Sequence, residues 1–431
     1  MNKRLSRRNF LLSLASNLTL FTLCNLFLKK RINAKSKPKV LIVGSGIGGL
    51  SCLNNLNKIS DVIDIIVIDK NKNIRTGPLS NLVLGDIISE DKITFEVNPK
   101  KYNNVKFIYD EIKYIDPDKK IVKVSDDVVV NFDFAILSPG VGYKDNIIDG
   151  YDPYNKELLP HCWDGDSDLK RFKKELNDIE KKSTIIISSP DYPYRCPPAP
   201  YERASLIANY LKKKKIDSKI LIFDSKDSFT KQENFLNEWD LYYKNIIEWI
   251  PRQQGGKIIY FDNHNNIIKN EQGNKIKADL IHFIPDQKAA DIFSQSNLLD
   301  KKKDWCKINP VTFELDGFDN IFVLGDSINA WDMPKSAFSA NSQARVLAIN
   351  LVNKILDREF IDPVFLNTCY SFSKENRAFS ITAWYRLNAD KDRIVSLGSS
   401  QSSVNSSNLV RNQEAGHAFG WFETMVNDLF L

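Results

Sequence analysis

From about residue 38 onward, short apolar runs alternate with polar, turn-rich stretches. "KVLIV" (39–43), "DIIVID" (64–69), "FDFAILSPG" (132–140), "KSTIIISSP" (182–190), "KILIFD" (219–224) and "DNIFVLGDSINA" (319–330) are such runs. Continuous apolar runs of this length, without polar alternation, predict parallel strands buried on both faces. The spacing predicts a helix from Leu50 to about Ile59 and another starting near Glu202. "RCPPAPYERAS" (195–205) carries too many prolines for a helix interior or an inner strand, so it predicts a stiff loop that holds Cys196 in place. "HAFGWFETMVNDLFL" (417–431) predicts a short amphipathic last helix. Strands alternating with helices define an α/β class.

Composition narrows the function classes. At 431 residues, two or three domains are expected. The net charge of +6 is spread over scattered lysines with no basic stripe, which argues against nucleic-acid binding. Six cysteines (Cys24, Cys52, Cys162, Cys196, Cys306, Cys369) are too few and too far apart for a disulfide scaffold. No CxxC or CxxCH occurs, and the four histidines (His161, His264, His282, His417) are dispersed, so neither a metal nor a haem site is expected in this chain. The N-terminus is an address: Ser6-Arg7-Arg8-Asn9-Phe10-Leu11 leads into an apolar run to Leu28, the pattern of a twin-arginine export signal. An ordinary secretory signal or an anchor retained at Lys29, Lys30 and Arg31 is the alternative. Either reading puts the body outside the cytoplasm, in the periplasm, where a disulfide persists.

The first strand runs into Gly44-Ser45-Gly46-Ile47-Gly48-Gly49, and the second ends on Asp69. A G-x-G-x-x-G between strand and helix lets backbone N–H groups approach a pyrophosphate at the positive end of the helix, and the later acid accepts from a ribose. Gly44, Gly46, Gly49 and Asp69 are therefore cofactor-binding candidates. The late strand ending in Gly325-Asp326 favours FAD over NAD, because in two-dinucleotide-domain flavoproteins such a turn meets the ribityl-phosphate. The second strand–loop–helix unit has Ser188 to Cys196 where a second glycine fingerprint would be, and no glycine, so its nicotinamide site is expected to be lost. A flavin, a missing nicotinamide site and a held cysteine together suggest thiol–disulfide chemistry with the flavin as electron acceptor.

The stretches "RCPPAPYERAS", "FIPDQKAADI" (283–292), "GDSINAWDMPKSAFSANSQARV" (325–346), "FLNTCYSF" (365–372) and "AFGWFETMVNDLF" (418–430) resemble the flavoprotein subunit of flavocytochrome c sulfide dehydrogenase, a relative of sulfide:quinone oxidoreductases. The resemblance implies two Rossmann-like dinucleotide-binding domains of the disulfide-reductase type plus a C-terminal α+β interface domain. It divides the chain into an export signal (1–37), an FAD-binding domain (38–150 and 275–348), a second dinucleotide-binding-like domain (151–274) and the interface domain (349–431).

The resemblance also implies a redox-active disulfide between Cys196 and Cys369 above the flavin, with Cys369 nearest the flavin and Cys196 as persulfide carrier. Hydrosulfide would attack this disulfide, and electrons would pass through FAD to a c-type cytochrome subunit, leaving zero-valent sulfur or polysulfide. Arg195, Arg203 and Lys335 are candidate positive neighbours of the disulfide. Glu202 is a candidate proton carrier, or an acid favoured by the first turn of its helix. Trp421 is either near the flavin or a core aromatic. The family's flavin-linking cysteine, before "LSN", is here Gly77, so FAD is expected to bind noncovalently. The alternatives are a sulfide:quinone oxidoreductase or a non-catalytic flavin-binding protein. No membrane span is expected beyond the N-terminal signal.

Overall fold

The computed structural model describes residues 37–125, 128–155, 159–163 and 168–431. The export-signal reading falls outside these residues, apart from Lys37. Each apolar run forms its strand. β1 (Lys39–Val43), β2 (Asp64–Asp69), β3 (Val105–Tyr109) and β4 (Phe134–Leu137) lie in one parallel sheet with a late strand, Ile321–Val323, in the order late strand–β4–β1–β2–β3. Val40, Leu41 and Ile42 are fully buried, as a strand covered on both faces requires. In register, Val43 stands beside Ile68 and Leu137, so the strand ends carrying Gly44, Asp69 and Ser138 lie along one edge. Ligands of open α/β sheets bind at that carboxyl edge.

A second parallel sheet holds β5 (Thr184–Ser189), β6 (Lys219–Asp224), β7 (Ile247–Ile250) and β8 (Leu280–Phe283), in the order β7–β6–β5–β8. Here strand pairing corrects the sequence-based boundary. Ile185 to Ser188 pair with Leu280 to Phe283, so the chain leaves this sheet after Phe283 and not before 275. "LIHF" is buried throughout and reads the same in either sheet. The late strand of the first sheet, β9 (Ile321–Val323), follows. A third, antiparallel sheet of β10 (Val364–Lys374), β11 (Arg377–Leu387) and β12 (Ile394–Gln401) closes the chain.

The helices that matter here are α1 (Ile47–Leu56), α2 (Ser80–Leu84), α3 (Ala199–Lys214), α4 (Gln232–Tyr242), α5 (Ala337–Ile355) and α6 (Asn408–Leu429). α3 begins at Ala199, three residues before Glu202, because prolines at the cap and in the first turn have no N–H to satisfy there. The last helix is 22 residues long, not short. Arg411, Ala415, Ala418, Phe422, Met425, Val426 and Leu429 form its buried stripe at helical spacing. Gly416 and Gly420 dilute that pattern in the sequence, and tertiary packing offsets their poor helix propensity. Among the described residues no helix is long and apolar enough to cross a membrane.

Candidate functional site

Cys196 sits in the left-handed region (φ 57°), on the turn that leads into α3. That conformation costs a non-glycine residue roughly 1–2 kcal/mol and needs external fixing. The fixing is visible. The Cys196 N–H donates to the Lys335 carbonyl at 2.8 Å, and its carbonyl accepts from Ala199 N at 2.9 Å. On either side, Arg195 N donates to Gln287 Oε1 (2.8 Å) and Tyr194 OH to the Pro197 carbonyl (2.6 Å). Cys369 comes from the middle of β10, opposite Ile381 of β11. The two cysteines meet as free thiols in hydrogen-bond contact, not joined as the disulfide named above.

Their environments differ. Cys196 is held well above the usual thiol range, first by its hydrogen bond to Cys369, then by burial and the charge of Glu202. Cys369 is held below that range, first by the hydrogen bond from Cys196 and then by Lys231, against the effect of burial. The positive neighbour is thus Lys231, which the sequence reading missed. It is one of 60 basic residues, in a polar turn before α4, and no pattern marks it.

The three nominated cations do other work. Lys335 Nζ donates to the carbonyls of Asp326 (2.8 Å) and Ile328 (2.6 Å) and lies 3.5 Å from the Trp305 ring centre. Burial brings it down to about 7. Arg203 is buried with its guanidinium on Asn81 Oδ1 (2.9 Å), the carbonyls of His161 (3.0 Å) and Cys162 (3.2 Å), and His282 Nε2. Burial and the Arg203 charge keep His282 neutral, so it accepts. The Arg195 charge faces Asp326.

Glu202 lies within electrostatic reach of both thiols. Its Oε1 accepts from Phe372 N (2.7 Å) and its Oε2 from Asn81 Nδ2 (2.6 Å). Burial pushes its carboxyl up, against those two hydrogen bonds and the charges of Lys231 and Arg203. Asn81, in the "LSN" segment, therefore ties Glu202 to Arg203. Sequence reasoning passed over this residue.

At the edge of the first sheet, Gly44 has φ +90° and an added Cβ would stand 2.4 Å from the Ser138 carbonyl oxygen. A Cβ on Gly49 would lie 1.8 Å from the Gly44 oxygen, so that glycine serves close strand–helix packing. A Cβ on Gly46, at the N-cap of α1, would meet nothing within 4 Å, which leaves room for a ligand. Asp69 Oδ2 accepts from Ser45 N (2.6 Å) and Ser45 Oγ (3.0 Å), and Oδ1 from Asn71 N (2.8 Å), leaving about one of a carboxylate's four lone-pair sites for a ribose. Gly325 (φ +78°) donates to Gln343 Oε1 at 2.8 Å. Beside it, Asp326 Oδ1 is buried without a partner, and burial raises this carboxyl. An orphaned buried acceptor, an open glycine N-cap and the charges of Arg195 and Lys335 fit a flavin dinucleotide. Gly77 is exposed and open around its Cα. Trp421 of α6 stacks on Phe338 of α5 at 5.7 Å.

The corresponding edge of the second sheet is built differently. Asp224, the acid ending β6, already accepts from Lys226 Nζ (2.6 Å), Lys226 N (3.1 Å), Tyr201 OH (2.5 Å) and Trp249 Nε1 (2.9 Å). The Lys226 ammonium also reaches Ser189 Oγ and the Pro190 carbonyl, and lies 5.2 and 5.0 Å from the ring centres of Tyr192 and Tyr194. Among the described residues no His, Cys, Asp and Glu cluster could hold a metal ion.

Two Rossmann-like sheets, a glycine cradle on the first and a thiol pair between the second sheet's loop and the third sheet define a two-dinucleotide-binding flavoprotein oxidoreductase of the disulfide-reductase class. Comparisons agree. The pyridine nucleotide-disulphide oxidoreductase profile matches residues 38–187. The profile described as "Sulfide dehydrogenase (flavocytochrome c) flavoprotein chain, central" matches 170–285, and "Flavocytochrome c sulphide dehydrogenase, flavin-binding" matches 361–430. A mitochondrial sulfide:quinone oxidoreductase of Dictyostelium discoideum is 26% identical over 75% of this chain and 73% of its own. That of Mus musculus is 21% identical over 73% and 70%. Among solved structures, a sulfide:quinone oxidoreductase of Aquifex aeolicus superposes with TM-score 0.68 at 15% identity, covering 92% of each chain. NDH2 of Plasmodium falciparum superposes with TM-score 0.67 at 14% identity, covering 90% of this chain and 98% of that one. The chain belongs to the family of the flavoprotein chain of flavocytochrome c sulfide dehydrogenase, and so to the flavoprotein oxidoreductases of sulfide oxidation.

Proposed function

We propose that this chain is a sulfide dehydrogenase that works through a disulfide formed by Cys196 and Cys369, with noncovalent FAD and a c-type cytochrome as acceptor. The observation that carries the reading is the meeting of two thiols from distant segments beside a buried lysine and a buried carboxylate. Hydrosulfide attacks one sulfur of the oxidised pair. A sulfur–sulfur bond forms to one cysteine, the Cys196–Cys369 bond breaks, and the other cysteine leaves as a thiolate. Re-forming the disulfide releases zero-valent sulfur, one proton and two electrons; a further hydrosulfide takes the sulfur as polysulfide. FAD, when bound, supplies a two-electron acceptor that returns its electrons singly. Gly44, Gly46, Gly49, Asp69, Gly325 and Asp326 would hold it. The fixed backbone of Cys196 orients the attacked bond, and Glu202, poised by burial, holds or releases the proton near the thiols.

The lack of any cysteine at Gly77 supports noncovalent attachment. The internal pairing of Asp224 with Lys226 supports an electron donor other than NADH, which is expected to leave the flavin oxidised. The twin-arginine pattern supports export to the periplasm, where a c-type cytochrome subunit is the partner.

A second reading, with a quinone as acceptor, is favoured by the two relatives named above, both sulfide:quinone oxidoreductases. Anaerobic sulfide turnover with a c-type cytochrome or a short-chain quinone as sole acceptor separates the two. The proposal expects faster reduction of the cytochrome. Quinone reduction with no cytochrome reduction would overturn the acceptor and leave the thiol chemistry in place.

A further inference from the structure

Lys231 is a buried cation whose contacts are all uncharged. The residue is 3% exposed. Nζ donates to Ser371 Oγ at 2.6 Å and to the Cys369 carbonyl at 3.0 Å, lies 3.9 Å from Cys369 Sγ, and sits 5.5 Å from the Phe379 ring centre. Among the described residues no carboxylate forms an ion pair with it. Of the other buried cations, Lys226 pairs with Asp224 and Arg377 with Glu238, while Lys335 and Arg203 are also without a carboxylate partner and are spent on carbonyls, Asn81 and His282; Lys231 differs from these two in touching a sulfur that can ionise. The backbone of Lys231 is itself left-handed (φ 63°), held as the cap residue of α4. A buried ammonium is costly unless a negative charge meets it. The Glu202 carboxyl feels the Lys231 charge from beyond ion-pair distance, and the group in contact that can become negative is the Cys369 sulfur.

We propose that Lys231 is the counter-ion of the Cys369 thiolate, and that it thereby directs hydrosulfide to Cys196. The inference rests on the sulfide reading above and names a positioning residue within it. In thiol–disulfide exchange the better-stabilised thiolate leaves. Hydrosulfide bonds to Cys196 Sγ, the Cys196–Cys369 bond breaks, and its electron pair goes to Cys369 Sγ, 3.9 Å from the ammonium. The attacking sulfur is oxidised to the persulfide level and the disulfide is the two-electron oxidant, its bond pair leaving on Cys369 while the hydrosulfide proton stays with the persulfide or passes to Glu202. The other charged or titratable groups facing the pair are Glu202 from α3, which acts on both sulfurs, Arg203 from α3, whose charge reaches Cys196 and Glu202, and Tyr385 from β11, next to Cys369. The Lys231 charge reaches both sulfurs, but its ammonium is in hydrogen-bond contact with Cys369 Sγ alone, and that contact makes Cys369 the better-stabilised leaving group.

The test uses the flavin-loaded protein. In a Cys196→Ser background, the rate of Cys369 alkylation by iodoacetamide is followed against pH by peptide mass spectrometry. It is compared for Lys231, Lys231→Met, Lys231→Gln and Lys231→Arg. The neutral variants are expected to slow alkylation at pH 7 by tenfold or more and to move its midpoint to higher pH. Arginine is expected to stay within about threefold. An unchanged midpoint in both neutral variants overturns the inference. A single turnover of the wild type with one equivalent of sulfide, trapped by alkylation, should put the extra sulfur on the Cys196 peptide; finding it on the Cys369 peptide overturns the directing role. The alkylation series needs no sulfide, so it decides the role of Lys231 even if sulfide proves not to be the substrate.

Discussion

Glu238 offers a prediction whose size follows from its contacts. It lies on α4, the helix that Lys231 caps, and is fully buried. Its carboxylate takes a two-pronged bond from Arg377 of β11, Nη2 to Oε1 at 2.7 Å and Nε to Oε2 at 2.9 Å, and a third from Ser373 Oγ of β10 at 2.7 Å. Arg411 of α6, also fully buried, has Nε 3.7 Å from Oε1. One acid therefore fastens the third sheet and the last helix to the helix that carries Lys231. Glu238→Ala would leave two buried guanidinium groups without their anion, a cost of about 3–5 kcal/mol. Glu238→Gln keeps one acceptor and should lose somewhat less.

The pH dependence has a defined sign. Burial alone would raise this carboxyl, but the hydrogen bonds of Arg377 and Ser373 and the charges of Arg377 and Arg411 outweigh it and hold it below the ordinary glutamate value. A depressed folded value means the stabilisation is complete above the unfolded pKa of about 4.3 and fades as the pH falls through the folded value. Urea unfolding followed by tryptophan fluorescence should show the full gap between wild type and Glu238→Gln at pH 7, narrowing below pH 4. A gap under about 0.5 kcal/mol at pH 7, or one that persists unchanged in acid, would refute the reasoning.

Two glycines of one loop should respond in opposite ways. Gly49→Ala, with its Cβ 1.8 Å from the Gly44 oxygen, should force strand and helix apart and cost about 1–3 kcal/mol or more by thermal unfolding, whereas Gly46→Val should fold normally and fail to retain FAD in a spectrum of the purified protein. A Gly46→Val protein with full flavin content would contradict the cradle described above. Acid precipitation of the purified protein should release all of its flavin into the supernatant, as noncovalent attachment at a chain with Gly77 requires; flavin left in the pellet would point to another covalent link.

The dinucleotide frame was legible because its strands are buried on both faces. "KVLIV", "DIIVID" and "KILIFD" read as continuous apolar runs, and Gly49 is required by a contact its own loop makes. The site is less local. Cys369 lies in "VFLNTCYSFSK", a strand mixing polar and apolar residues, and only a family resemblance linked it to Cys196. Lys231, Asn81 and the Glu238–Arg377–Arg411 cluster bring together residues from separate elements, which no spacing in one segment encodes. Arg203 and Lys335 were nominated by motif, yet their hydrogen bonds are spent on carbonyls, a histidine and Asn81. The strand "LIHF" was placed in the wrong half because its composition suits either parallel sheet.

The central claim is that sulfide reduces the flavin through the two cysteines. The most direct test is the visible spectrum of the flavin-loaded protein titrated with sulfide in the absence of oxygen, for wild type and Cys369→Ser in parallel. The account predicts that the oxidised flavin band is lost in the wild type and persists in the variant. A wild-type band untouched by sulfide, or equal bleaching of the two proteins, would contradict it.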